Sequence, residues 1–145
     1  MMGRAQLSEL ERHGSYVSVP HGISMRPMIR DRRDAVLVRA LTEKPRRYDL
    51  VMYVRPNLQG VIHRVLYWKG DTCIICGDNC WQLEAVKPEQ IRGIVTEFCR
   101  GGKWRPVTDR WYLLYVHIWT DLFFLRRPLF YLRDRAKRLL RKLRR

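Results

Sequence analysis

Ile62-His63-Arg64-Val65-Leu66-Tyr67-Trp68-Lys69-Gly70-Asp71-Thr72-Cys73-Ile74-Ile75 sets two runs rich in β-branched and aromatic residues around a Lys-Gly-Asp turn. Residues of that kind fit a pleated, half-buried surface, and the short polar turn with glycine lets the chain double back, so the stretch reads as a β-hairpin. Working outward, similar runs lie at Tyr16 to Val19, Ala35 to Arg39, Leu50 to Val54 and Ile91 to Phe98. Pro56-Asn57, Gly60, Gly77-Asp78-Asn79, Pro88 and Gly101-Gly102 punctuate them. Many short strands at this spacing predict a mainly β domain, a small coiled antiparallel β barrel over residues 16–108.

The flanks read as helical. Residues 1–15 form a short lead, with a helix from Ala5 to Arg12 ended by Gly14. In residues 109–145, Trp111, Leu114, Tyr115, Ile118, Leu122 and Leu125 follow helical spacing, and Asp109 is placed to cap the start. Pro128 is expected to break or kink this helix near Arg127, because its ring clashes one turn back, with a second, basic helix from about Leu129 to Leu143.

Charge is concentrated at the same end. The 145 residues carry a formal +15, and Arg126 to Arg145 holds ten Lys or Arg against the single acid Asp134. Trp111 to Leu125 includes His117, Thr120 and Asp121 and falls short of the roughly 20 mainly apolar residues that span a bilayer. The C-terminal basic helix is therefore expected on an anionic membrane surface, where each nearby cation contributes about 1 kcal/mol. The competing expectation is that the apolar helix packs on the β domain and the basic end is a solvated tail. Nucleic acid is the least expected partner, since no base-reading motif accompanies the charge.

Met1 to Gly14 has polar residues spread throughout and no apolar core of a secretory signal. A cytoplasmic protein, peripheral on the membrane surface, is expected. Cys73, Cys76, Cys80 and Cys99 agree with a reducing compartment rather than a disulfide framework. Cys73-x-x-Cys76 has the spacing of half a zinc site, but within a strand an odd separation points the two thiols to opposite faces. Buried reduced thiols are expected, with no metal and no cofactor.

Gly22-Ile23-Ser24-Met25-Arg26-Pro27, then His63, then Gly77-Asp78-Asn79 supply in order a hydroxyl, a titratable base and a carboxylate. Those are the parts of nucleophilic acyl transfer. Each also has an ordinary role: Ser24 as a turn cap, His63 as a strand histidine sharing a face with Val61, Val65 and Tyr67, and Asp78-Asn79 as turn residues.

Together with Asp34-Ala35-Val36-Leu37-Val38 and Asp49-Leu50-Val51-Met52-Tyr53, these boxes resemble the catalytic domain of the signal peptidase family, within the group that also holds the LexA-type self-cleaving repressors. The likeness runs from about Val17 to Val95. It implies a serine endopeptidase acting on a precursor or leader peptide, with Ser24 as nucleophile and small residues before the cut. It also implies that Gly22, Met25 and Pro27, beside the nucleophile, meet the substrate. Bacterial members use a lysine base, whereas His63 stands here, as in the endoplasmic-reticulum and archaeal branch. An imidazole needs an acidic partner to fix its tautomer and balance its charge. Asp78 is the first choice and Glu84 the runner-up. Gly22 stands where bacterial relatives often carry a serine that assists the oxyanion, so backbone donors must suffice and a modest or specialised catalyst is expected.

Two rivals share the fold. A LexA-like regulator needs a DNA-binding helix-turn-helix, for which the residues before Tyr16 leave too little room. A catalytically silent peptide-binding or membrane-associated adaptor would bind peptides without reacting with a serine-directed probe. Oligomeric state is not readable from the residues.

Overall fold

The computed structural model describes residues 4–144. Helix α1 (Arg4–His13) precedes strands β1 (Ser15–Ser18), β2 (Ala35–Ala40), β3 (Leu50–Val54), β4 (Gly60–Lys69), β5 (Thr72–Cys76) and β6 (Glu84–Val86). A 3-10 turn at Pro88–Gln90 leads into β7 (Ile91–Arg100) and β8 (Lys103–Pro106), and helices α2 (Arg110–Asp121) and α3 (Phe123–Leu143) end the chain. Strand and helix shares are 34% and 32%, so the protein is mainly β by a narrow margin, with an antiparallel sheet, a short N-terminal helix and C-terminal helices.

The strands form one sheet in the order β1-β2-β7-β3-β4-β5-β6. Long β7 is its hub: β2 pairs along one edge, while β3 pairs near Ile91 to Ile94 and β8 near Glu97 to Arg100 on the other. The hairpin read from Ile62 to Ile75 is β4 and β5, joined at Gly70-Asp71. Its register shifts between Val65 and Tyr67, and this bulge carries the inward position one residue along. Trp68 packs on the cluster holding Val65, and Tyr67, expected on the face of His63, is exposed instead.

A closed barrel was expected and is not found. The terminal strands of the sheet, β1 and β6, have four and three residues and do not pair with each other among the described residues. Val19, just after β1, and Glu84, the first residue of β6, line a common cleft, so the seam that closure would have sealed is open.

Both faces of the sheet centre are covered. Leu50 and Met52 join a cluster with Leu10, Met28, Val38, Tyr112 and Val116, whereas Val51 and Tyr53 join Val65, Ile75 and Val86. Burial on both sides explains why β3 is a continuous apolar run rather than an alternating one. Each fully buried side chain of this size contributes about 1.5–3 kcal/mol.

The helical segment departs from its sequence pattern. Asp109 caps α2 as expected, accepting the backbone N–H groups of Trp111 and Tyr112 at 3.1 Å each. The packed face, however, is Tyr112, Val116 and Thr120. The expected apolar stripe of Trp111, Leu114, Ile118 and Leu122 points outward, with Trp111 74% exposed. Pro128 does not break the helix. The break falls at Leu122, whose carbonyl accepts the N–H groups of Leu125 and Arg126 at 3.0 Å and so starts α3 five residues earlier than Pro128 would suggest. Pro128 then leaves one backbone bond unmade on an exposed turn. No helix among the described residues is long and apolar enough to cross a membrane.

Candidate active site

Ser24 lies in the loop between β1 and β2, a segment whose own polar groups fold it. Arg30 grips the buried Asp34 carboxylate with Nη2 at 2.7 Å and its backbone N–H at 2.8 Å, and the Gly22 N–H donates to Asp31 Oδ1 at 2.8 Å. Burial would raise the Asp34 carboxyl, but the Arg30 bonds outweigh it and hold it low. Met25, Met28 and Ile29 anchor the loop in the core, leaving Ser24 half-buried at the cleft.

His63 sits on β4 opposite Val51, and cross-strand register puts Tyr53 diagonally beside it. Its Nδ1 is 3.2 Å from Glu84 Oε1 and 3.2 Å from the Tyr53 hydroxyl. Arg55, just past the end of β3 and two residues on from Tyr53, clamps Glu84 with Nε to Oε2 at 2.8 Å and Nη2 to Oε1 at 2.5 Å. Burial would raise the Glu84 carboxyl. Hydrogen bonds from His63, Arg55 and Tyr53 overcome that and hold it well below the usual carboxylate range. An ionised Glu84 accepts the Nδ1 proton, which leaves Nε2 as the basic nitrogen.

Gly77 shows where Nε2 points. A Cβ on Gly77 would lie 2.6 Å from the Ser24 carbonyl oxygen and 3.1 Å from His63 Nε2. The Ser24 loop and the ring nitrogen thus both close on the space of one missing methyl group. The next residue continues the junction: the Asn79 N–H donates to the Ser24 carbonyl at 2.7 Å and its side-chain amide to the Ile23 carbonyl at 3.0 Å. The Ser24 hydroxyl makes no hydrogen bond among the described residues; in hydroxyl–imidazole sites that contact commonly tightens only with substrate.

Asp78, the expected acid, does not face His63. Its carboxylate is fully buried and accepts Arg64 Nε at 2.8 Å, Arg64 Nη2 at 2.7 Å and the Tyr115 hydroxyl at 2.8 Å. Its carbonyl accepts the Trp119 indole at 2.7 Å and Arg126. The cause is strand alternation: Arg64, next to His63 on β4, projects from the other face, and Asp78 follows Arg64. The runner-up, Glu84, occupies the position beside the imidazole.

The remaining residues divide. Gly22 and Met25 line the cleft, although Met25 is 4% exposed and belongs to the core. Pro27 is exposed and is not part of the cleft lining, because the chain turns away after Met25. Tyr53 and Arg55, which complete the Glu84 side of the site, were not foreseen; the only sequence signal for them is their period-two spacing at the end of β3. Cys73 and Cys76 are buried, and burial pushes their thiols up to about 11 and about 12. Cys76 donates to the Gln82 carbonyl at 3.2 Å.

Ser24, His63 and Glu84 share one cleft of about 1130 Å³. Its opposite wall is α3, which sits on the loop after β5: Arg126 caps the Asp78 carbonyl, Arg133 donates to Asn79 Oδ1 at 2.6 Å, and Tyr131 meets the edge of Trp81. Comparison with protein-family models, with curated proteins and with solved structures found no match.

Proposed function

We propose that the protein is a serine endopeptidase of signal-peptidase type that cleaves a precursor or leader peptide. Ser24 Oγ attacks the scissile carbonyl, His63 Nε2 takes its proton and delivers it to the leaving amine, and Glu84 faces the imidazolium. Arg55 and Tyr53 hold Glu84 ionised and in line. The Ser24 backbone N–H, which has no acceptor among the described residues, is the available donor for the oxyanion. The Gly22 N–H is committed to Asp31.

The observation that carries this reading is the convergence at Gly77, where a Cβ would lie 2.6 Å from the Ser24 carbonyl and 3.1 Å from the ring nitrogen, with a clamped carboxylate on the other nitrogen of the ring. A substrate strand would run extended beside Ser24, near the end of β1, the terminal strand of the sheet order, which leads directly into the Ser24 loop.

Labelling with a fluorophosphonate probe and mass measurement of cleaved precursor peptides test it. Ser24→Ala and His63→Ala should each abolish cleavage nearly as fully as the double change, because members of such a unit act together. Peptide binding without labelling would favour the silent adaptor. Full cleavage by the Ser24→Ala chain would end the assignment.

The expected contact with an anionic membrane surface is retained in a revised form. Its support is the outward stripe of Trp111, Leu114, Ile118, Leu125, Leu129 and Leu132 across α2 and α3, with exposed cations such as Arg135 and Lys142 beside it.

A further inference from the structure

An amphipathic helix ordinarily buries its leucines and exposes its cations. Helix α3 exposes both, and it is the cations rather than the leucines that it turns into the cleft. Leu125, Leu129, Leu132, Leu139, Leu140 and Leu143 are between 52% and 76% exposed, and none of them lines the cleft. The side chains that do line it are Arg127, Arg133, Lys137, Arg138 and Arg141, with Asp134 the only acid the helix contributes.

The orientation is imposed by specific bonds. Arg126 and Arg133 fasten the helix to Asp78 and Asn79, which leaves the rest of that basic face looking across the cleft toward Ser24 and His63. The cleft has little negative charge of its own to answer it. Glu84 is bound by Arg55 and His63, and Asp134 is bound by Arg133 at 2.9 Å. Arg127, Arg138 and Arg141 have no acidic partner among the described residues. Like charges gathered along one concave wall repel one another and focus their field into the cleft, and an anionic occupant relieves both effects.

We infer that the substrate is an acidic peptide, whose Asp and Glu side chains lie along the cationic wall of α3 while its scissile bond reaches Ser24. This deepens the peptidase reading and rests on it. A lipid surface fits the wall less well, because the cations face inward over the reactive residues and the leucines that would enter a bilayer face the other way. Nucleic acid fits less well because Trp81, the single Phe, Tyr or Trp ring among the described residues of the cleft lining, is already packed edge-on by Tyr131 rather than open for bases to stack on.

The test uses the full chain carrying Ser24→Ala, so that peptides bind without being cut, and short synthetic peptides matched in length: one rich in Glu, one with Gln in their place, one with Lys. Fluorescence anisotropy should give binding of the Glu peptide at least about ten-fold tighter than the Gln peptide and weaker still for Lys, with the preference collapsing as salt shortens the screening length. Adding Lys137→Glu, Arg138→Glu and Arg141→Glu, all exposed positions, should invert the order to favour Lys. A milder chain with Gln at the same three positions should abolish the preference without inverting it, and circular dichroism checks that each remains folded.

Equal binding of the three peptides, or a preference that survives the reversal, overturns the inference. So does stronger, reversal-sensitive binding of anionic vesicles or of a single-stranded oligonucleotide. Failure of the underlying reading is separable: in the unmodified chain, absence of fluorophosphonate labelling at Ser24 counts against the peptidase, whatever the peptides show.

Discussion

Arg64 and Asp78 form an enclosed ion pair, Nη2 to Oδ2 at 2.7 Å, with both side chains 1% exposed. The pair binds the base-bearing strand to the loop that separates Ser24 from His63. Arg64 also donates to the Tyr48 carbonyl at 2.9 Å and the Tyr112 hydroxyl at 3.2 Å, so α2 is tied to the same point. The Asp78 carboxylate holds the site together from behind and bonds neither Ser24 nor His63.

Asp78→Asn should therefore act on stability first. It leaves the Arg64 charge buried without its partner, a change that costs about 3–5 kcal/mol. Arg64→Met should behave likewise. Urea denaturation measures both, and a shift below about 1 kcal/mol for either would remove the pair from its structural role.

Gly77→Ala should separate fold from chemistry. The added methyl meets the Ser24 carbonyl at 2.6 Å and His63 Nε2 at 3.1 Å, so the loop and the ring must part. Overpacking of this kind costs about 1–3 kcal/mol. A displacement of about 1 Å between reacting groups costs about 10²-fold in rate, and the rate of probe labelling should fall by that order. Unchanged labelling by a folded Gly77→Ala chain would disprove the juxtaposition.

Glu84 predicts an acid limb in stability. Its folded-state carboxyl is held low, although burial alone would raise it, because His63, Arg55 and Tyr53 favour the ionised form. A depressed carboxyl contributes stability that is present above its unfolded pKa and is lost as pH falls toward the folded value. Between about pH 5 and pH 3 the natural chain should lose stability faster than Glu84→Gln, with denaturation midpoints as the measure. At neutral pH, Glu84→Gln should slow probe labelling by about 10²-fold or more, since the imidazole loses the group that fixes its tautomer. Parallel acid curves for the two chains would contradict the assignment.

Vesicle flotation addresses the outward stripe. Anionic vesicles should carry the protein at low salt and release it as salt rises, since each cation near the surface contributes about 1 kcal/mol that screening removes. Leu125→Ser with Leu129→Ser and Leu132→Ser should prevent flotation, and Trp111 fluorescence should shift to the blue only in chains that bind. Flotation unaffected by those three changes would reject the stripe as the contact.

How much was legible follows from which interactions are local. The β4–β5 hairpin, the Asp109 cap and the Gly14 stop were readable because turn chemistry and capping act within a few residues. The short strands β6 and β8 were not singled out: Glu84–Val86 and Lys103–Pro106 are too brief to show a period and exist because β5 and β7 offer them edges. The choice between Asp78 and Glu84 was open for a similar reason. One lies fifteen and the other twenty-one positions after His63, and only the strand faces decide which meets the ring.

Sequence by itself determined the inventory and its order: alternating apolar strands, turn residues, a hydroxyl, an imidazole, two candidate carboxylates and a cationic end. Those depend on covalent spacing and local preference, which the chain carries in any conformation. Tertiary structure alone decided that the sheet stays open, that Glu84 rather than Asp78 meets His63, and that α3 turns its arginines toward the cleft and its leucines outward. Each of those depends on which groups, distant along the chain, can satisfy a buried charge. Arg64 claims Asp78 and Arg126 docks on its carbonyl, and once those bonds form the faces of β4 and α3 are no longer free to turn.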